Sequence, residues 1–157
     1  MENIKNEVFD NAGGIVLVDY TKTLEQAFGD SKCCRSDNDI TAKNFPISPE
    51  MIGKIVEVYM KLFHFNCEMR SDLAISRMDK DGFRPATLFE QLAFAKAHPG
   101  RPKQYPIFAL GSIWFFYLSF RCVPCLARHG VKREIGTSQF DAYWKAPCRF
   151  LAVRKVS

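Results

Sequence analysis

The sequence lacks the long apolar run that a membrane-spanning helix requires. Its apolar stretches are interrupted by Lys, Arg or Pro before they reach about 18 residues. The first ten residues, MENIKNEVFD, have neither the basic start nor the apolar centre of a secretory signal. These absences predict a cytoplasmic protein by default and leave association with a cell surface or a virion open.

Motifs of the common enzyme classes are also missing. We find no phosphate-binding glycine loop, no nucleophile elbow and no acid pair suited to catalysis. Asp79 and Asp81 flank a turn, but with only Asp72 close by they do not form a calcium loop. His64 falls on a largely apolar strand face and His98 at a helix end, where core or capping roles outweigh catalysis. We therefore predict a non-enzymatic protein without a cofactor or metal.

Acidic residues are scarce in the last third of the chain. Residues 100–157 carry 10 Lys and Arg against 2 Asp and Glu, whereas residues 1–99 carry 12 against 15. A basic segment rich in aromatic residues is typical of nucleic-acid or acidic-protein binding, although a solvated basic sheet face explains so modest an excess more simply. The nucleic-acid alternative would use Lys132, Arg133, Arg149 and Lys155.

The composition predicts one globular domain over residues 1–157. A chain of this length with 47% hydrophobic and 25% charged residues can bury a sizeable core. Its six cysteines are even in number and could form three bridges. Because Cys33 and Cys34 are adjacent and the N-terminus lacks a secretory signal, we favour free thiols.

Cys122-Val-Pro-Cys125 is the sharpest conventional motif, because two thiols at this spacing serve redox chemistry or half of a zinc site. The segment is predicted to be a strand, whose alternation would point the two thiols to opposite faces. Zinc would need two more ligands, and the spacing to His129 and Cys148 fits no standard zinc module. A thiol or zinc protein using Cys122 and Cys125 is kept as an alternative.

The first part of the chain predicts strands and one short helical turn. Residues Gly14 to Tyr20 form an apolar run typical of a buried strand. Residues Thr23 to Phe28 predict a helical turn that Gly29 stops, and residues 30 to 50 predict a surface loop. The alternation from Lys54 to Phe65 predicts a half-buried strand.

Two helices and several short strands follow. Ser71 is placed to cap a helix that ends at Lys80, and Thr87 with Glu90 has the spacing of a capping box for a second helix. After Gly100 the pattern changes to short strands separated by turns. The order of elements predicts an α+β domain in which two helices pack on a mostly antiparallel twisted sheet with long loops.

An aromatic hairpin tip is the most informative feature. Strand-like runs from Ile107 to Trp114 and from Arg121 to Leu126 enclose the segment 115–120, which reads FFYLSF. Hairpin tips usually take Gly, Asn, Asp or Ser, so an aromatic tip predicts a contact surface for another molecule. For any single ring, packing back onto the body is an equal alternative.

We predict a ligand-binding surface within residues 115–148, with aromatic anchors and polar or charged neighbours. Its predicted residues are Phe115, Phe116, Tyr117, Ser119, Phe120, Arg121, Arg128, Ser138, Phe140, Asp141, Tyr143 and Lys145.

Four short sequence motifs resemble those of a known family. They are RPATL at 84–88, ALGSIW at 109–114, Val123-Pro124, and RFLAVRK at 149–155. They resemble a group of small bacterial proteins that are similar to the variable target proteins of diversity-generating retroelements. The resemblance implies a C-type-lectin-like fold, with RFLAVRK as the final core strand and ALGSIW as a central strand. The residues between these motifs would vary in sequence.

The resemblance also implies how the surface would vary. Such systems alter codons through template adenines, and most residues at the predicted tip belong to the set that this process can reach. The chain departs from the family in lacking a polar, Gly-containing tip at 118–120 and in carrying Gln139-Phe140 where a Trp-Phe pair is expected. The implied function is a non-enzymatic module that binds a protein or another macromolecule.

Overall fold

The structure, a computed structural model, describes residues 13–117 and 119–156. Leu118 of the predicted tip, and the first ten residues on which the absence of a secretory signal depends, lie outside the described residues. The strands are β1 (Gly14–Asp19), β2 (Cys34–Arg35), β3 (Ile55–Phe63), β4 (Met69–Arg70), β5 (Phe83–Pro85), β6 (Ile107–Phe108), β7 (Trp114–Phe116), β8 (Phe120–His129), β9 (Lys132–Gln139), β10 (Tyr143–Trp144) and β11 (Arg149–Arg154). The helices are α1 (Leu24–Ser31), α2 (Ser71–Lys80) and α3 (Leu88–Ala97), and a 3₁₀ turn covers Pro49–Met51.

One large sheet organises the fold. Its strand order is β1-β3-β11-β6-β8-β9-β2, with β5 added beside β11 and β7 beside β8, while β4 and β10 form a separate pair. Most pairs are antiparallel, and β11–β6 and β2–β9 are parallel. The predicted α+β class with a mostly antiparallel sheet is confirmed. No helix within the described ranges combines the length and apolar character needed to cross a membrane.

Three local predictions are wrong. The turn expected at Thr23 is a full helix, since Thr23 and Gln26 form a capping box and α1 runs for eight residues, so residues 13–117 and 119–156 contain three helices rather than the two predicted. The segment ALGSIW is not one strand, because the chain leaves the sheet between β6 and β7 and the Gly111 amide donates to the Ala86 carbonyl instead. Ser71 does not cap α2, because its hydroxyl donates to the Phe140 carbonyl at 2.6 Å.

Two hydrophobic cores lie on opposite faces of the sheet. The first packs α1 and α3 against β1 and β3 and includes Val18 and Leu92. The second lies under α2 and includes Met78 and Trp144. Strand β11 serves both cores, because Leu151 and Val153 face the first while Phe150 and Ala152 face the second. Burial on both faces explains why RFLAV is an almost continuous apolar run.

Three of the short sequence motifs, RPATL, ALGSIW and RFLAVRK, lie close together in the structure. Strand β5, from RPATL, pairs with β11, from RFLAVRK. Gly111 of ALGSIW lies so close to RPATL that a Cβ atom there would come within 2.6 Å of the Pro85 carbonyl oxygen. The Leu88 amide, at the start of α3, donates to the Ser112 hydroxyl at 2.8 Å. These contacts explain why the residues at 111 and 112 are small, since both lie close against RPATL.

Arg133 joins the helices to the sheet. Its side chain is buried, and its Nη1 donates to the carbonyl oxygens of Ala95 at 2.8 Å and Arg101 at 3.0 Å. Its Nη2 donates to the carbonyl of Ser31 at 2.6 Å. Ser31 and Ala95 lie in the last turns of α1 and α3, where carbonyls lack helical partners. The prediction of Arg133 as a nucleic-acid contact is wrong, because the guanidinium is enclosed by these helix ends.

We expect Arg133→Met to lower the free energy of unfolding by at least about 3 kcal/mol, because it leaves several buried carbonyls without donors. Urea denaturation followed by circular dichroism measures the change. Lys132→Met is the matched control, since Lys132 is adjacent and exposed, and we expect it to change stability by less than about 0.5 kcal/mol. Equal effects of the two substitutions would contradict the structural role of Arg133.

Candidate binding surface at the aromatic hairpin

Strands β7 and β8 form the predicted hairpin. Phe115 lies opposite Arg121 and Phe116 opposite Phe120, so the chain reverses between residues 116 and 120. Tyr117 begins the turn with a φ of +49°, a left-handed backbone conformation that residues other than Gly seldom adopt. The predicted reversal within the aromatic segment is confirmed.

Four rings of this hairpin are exposed to solvent. The exposed fractions are 55% for Phe115, 37% for Phe116, 81% for Tyr117 and 51% for Phe120. None of the four belongs to either hydrophobic core. The alternative in which these rings pack back onto the body is therefore not the arrangement in the structure. Scattered exposed hydrophobic residues are ordinary, but four on one hairpin are a concentration of apolar surface. Phe116 and Phe120 share one face of the hairpin, and Phe115 lies on the other face beside Arg121.

A row of ring contacts connects the tip to the body. Trp114 packs against the first core, and its ring centroid is 6.4 Å from that of Phe45. Phe116 contacts Trp114 edge-on at 5.5 Å, and Tyr117 contacts Phe116 at 4.3 Å. Edge-to-face contacts of this kind stabilise aromatic pairs beyond the area they bury. The base of the row is anchored while its end stays in water.

Arg121 forms a polar cluster on the other face of the hairpin. Its guanidinium pairs with the Asp141 carboxylate and lies 4.4 Å from the centroid of the Phe140 ring. The hydrogen bond from Arg121 to Asp141 raises the pKa of the guanidinium. The prediction of Phe140 as an exposed contact is wrong, because its ring is buried in the second core beneath Arg121. Asp141 itself is exposed and remains part of the surface.

A shallow cleft of about 330 Å³ continues from Arg121 toward the start of α2. Arg70 lies on its rim, with Asp72 at 3.6 Å and the exposed Tyr143 ring at 5.6 Å. The charges around the cleft therefore occur as two pairs of opposite sign, Arg121 with Asp141 and Arg70 with Asp72. A rim of this kind suits a polar partner without strong net charge.

The other predicted site residues divide between this surface and the scaffold. Ser119 and Lys145 are exposed in turns. Ser138 is half-buried and its hydroxyl forms a hydrogen bond with the Cys125 thiol. The prediction of Arg128 as a rim contact is wrong, because it lies at the far end of β8 and its Nε donates to the Pro102 carbonyl at 2.7 Å.

Sequence reasoning missed two contributors to the surface. Trp114 anchors the ring row, and its position at the end of a predicted strand directly before the tip was a usable signal. Arg70 joins the surface through the pairing of β4 with β10, which places it opposite Tyr143. No local pattern connects residues so far apart in the chain.

The geometry around Cys122 and Cys125 favours neither redox nor zinc chemistry. Cys122 lies opposite Trp114 and Gln139, whereas Cys125 packs against the second core on the other face of the sheet. Burial raises the pKa of the Cys125 thiol to about 12 and also raises that of Cys122. All six cysteines are free, and within residues 13–117 and 119–156 no group of three His, Cys, Asp or Glu side chains is arranged to hold a metal.

We expect iodoacetamide at about pH 8 to label Cys34 and Cys67 rapidly and to leave Cys125 unmodified in the folded protein. Cys34 and Cys67 are exposed. With a pKa of about 12, only about one Cys125 thiol in ten thousand would be ionised at that pH, and burial also restricts access. Peptide mass spectrometry over time measures each site, with the urea-unfolded chain as control. Equal labelling of the three thiols before unfolding would contradict this assignment.

Comparisons of this chain with protein-family models, with curated proteins and with solved structures found no match.

Proposed function

We propose that this protein is a non-enzymatic binding module that recognises a protein ligand through the aromatic hairpin and the loops beside it. The observation that carries the proposal is the exposure of four rings on a hairpin whose base, Trp114, packs against the first core. The proposed contact residues are Phe115, Phe116, Tyr117, Ser119, Phe120, Arg121, Asp141, Tyr143 and Lys145, with Arg70 and Asp72 at the edge.

The chemistry of these residues supports a protein ligand. Aromatic side chains offer a large contact area and have few rotatable bonds, so little conformational entropy is lost when they bind. Buried aromatic anchors surrounded by polar rims are the usual arrangement of protein interfaces. Here the rim charges are paired, as Arg121 with Asp141 and Arg70 with Asp72, so they would contribute selectivity more than long-range attraction.

A nucleic-acid ligand has weaker support. Of the basic residues in that alternative, Arg133 is buried, Arg149 lies 3.9 Å from the ring centroid of Tyr105, and Lys155 pairs with Asp79. Lys132 lies 4.0 Å from Glu134. Binding to phosphates needs several free cations on one face. The positive charge of the last third is instead used largely in contacts within the chain.

We further propose that the fold is C-type-lectin-like and that the chain is a target protein of a diversity-generating retroelement. Support comes from the division between scaffold and surface. The start of RPATL lies in β5, which pairs with RFLAVRK in β11, and Gly111 and Ser112 of ALGSIW contact RPATL. The candidate surface lies mainly in the hairpin tip and in the loops after β9 and β10, outside these motifs.

Genomic DNA tests this second proposal. We expect a near-identical copy of the codons for residues 115–148 beside a reverse-transcriptase gene, with differences concentrated at adenines of the copy. Those differences should fall on codons of exposed residues such as Tyr117 and Tyr143 and should spare buried ones such as Val123. A genome with no such copy would reject the retroelement origin and leave the binding proposal to its own test.

We expect the double substitution Tyr117→Ala and Phe120→Ala to leave the thermal midpoint within about 2 °C of the original, because both rings lie largely in water. Protein binders selected from a displayed library against the unmodified chain should lose more than about 100-fold in affinity for this variant. Biolayer interferometry measures the affinity and circular dichroism measures the midpoint.

Val131→Ala is the matched control, since Val131 is 99% exposed at the turn between β8 and β9, away from the tip. It should change neither quantity. Binders that tolerate the double substitution would place recognition elsewhere on the molecule. A large fall of the midpoint would instead assign the rings to packing.

A further inference from the structure

Strand β1 has an open edge within the part of the chain that the structure describes. It pairs with β3 on one side and is the outermost strand of the sheet. The Tyr20 amide donates to the Lys54 carbonyl at 2.8 Å, which continues the β1–β3 register by one pair. Because hydrogen-bonded and non-hydrogen-bonded pairs alternate in an antiparallel ladder, Val18 bonds toward β3 whereas Ile15 and Leu17 direct their N–H and C=O groups outward.

An apolar cleft of about 320 Å³ lies directly against this edge. Val18 of β1 forms one wall, Ala27 of α1 forms another, and Leu92 and Ala93 of α3 form the floor. No strand among the described residues occupies the outer side of β1. The open backbone groups and the apolar cleft are therefore adjacent.

The outer face of the same edge is also apolar. Ile15 is 69% exposed and Leu17 58% exposed, and the neighbouring Ile55 of β3 is 57% exposed. These side chains point away from α1 and α3, on the opposite face of the sheet from the cleft. A strand added beside β1 would thus meet apolar surface on both faces, one side chain entering the cleft and the next covering Ile15 and Leu17.

We propose that the edge of β1 binds an extended, uncharged segment of a partner protein as an additional antiparallel strand. Backbone hydrogen bonds to Ile15 and Leu17 would supply the register, and aliphatic side chains at alternate positions would fill the cleft and cover the outer face. The charges at the rim favour an uncharged segment, because Lys22 pairs with Asp30 and the remaining Asp19 and Lys96 have opposite signs.

A single strand fits this edge better than a second copy of the chain. If the β1 strands of two copies paired antiparallel about a twofold axis, their helix layers would lie on the same side of the joined sheet. The α1 helix of each copy, which contributes Ala27 and Asp30 to the cleft, would then approach the cleft of the other. An isolated extended segment needs only the width of one strand, about 4.8 Å.

The test uses the full chain and a synthetic peptide, acetylated and amidated, in which Val or Leu alternates with Thr between Gly-Ser flanks. Nuclear magnetic resonance follows amide hydrogen exchange. We expect the peptide to slow exchange of the Leu17 amide at least about tenfold at saturation and to leave the Val18 amide, which already bonds to β3, unchanged. A peptide with Pro at a central position should not bind, because it lacks one donor.

Two variants locate the site. Leu17→Pro removes an outward amide without removing a bond to β3, and Ala27→Leu fills the cleft from a helical position. We expect each to weaken binding of the peptide at least about tenfold. Ala27→Leu keeps the test decisive if the proline variant does not fold. The hairpin variant Tyr117→Ala is the control and should bind the peptide normally, so this result is independent of the function proposed for the hairpin.

Three results would overturn the proposal. The peptide could fail to protect the Leu17 amide. The Leu17 amide could be as protected as Val18 in the free monomer, which would show that the chain itself covers the edge. Sedimentation could reveal a dimer whose dissociation exposes Leu17, which would assign the edge to a second copy.

Discussion

The buried guanidinium of Arg133 is the interaction on which the relative placement of helices and sheet depends. Removing a charge from water is costly, and the cost is offset here by carbonyl groups at the ends of α1 and α3, where the helix dipoles leave partial negative charge. The planar fork of arginine donates in several directions at once, which a lysine ammonium does not reproduce. Arg133 lies near the start of β9, the strand that leads to Asp141, so the contact fixes the end of this strand that is remote from the candidate surface.

That scaffold separates the residues that stabilise the fold from the residues proposed to bind a partner. Strand β11 is buried on both faces and joins the two cores, so its side chains are constrained by packing on either side. Tyr117 contacts Phe116, and Phe116 contacts Trp114, which packs against the first core. Substitution at Tyr117 would therefore change the candidate surface at little cost to folding, whereas substitution at Phe150 would leave a cavity. A protein whose surface varies needs this division, whatever mechanism supplies the variation.

Local features were predictable from the sequence and long-range burial was not. The capping box of Thr87 and Glu90 and the reversal after Phe116 depend on residues a few positions apart, and both occur in the structure. The burial of Arg133 depends on a carbonyl 102 residues away, and that of Phe140 on its place in a core assembled from distant segments. Basic and aromatic side chains after residue 100 resembled surface contacts because the sequence does not reveal which of them have partners inside the protein.

The hairpin and the edge of β1 would recognise partners by different physical means. At the hairpin, exposed rings would supply the contact area and selectivity would follow from the side chains. At β1, the backbone of Ile15 and Leu17 would supply the hydrogen bonds, so recognition would tolerate many partner sequences that are extended and apolar. Strands β3, β11 and β6 lie between β1 and the hairpin strand β8 in the sheet, and the two surfaces share no residue. Variation at the hairpin would therefore change one partner without altering a constant attachment through β1.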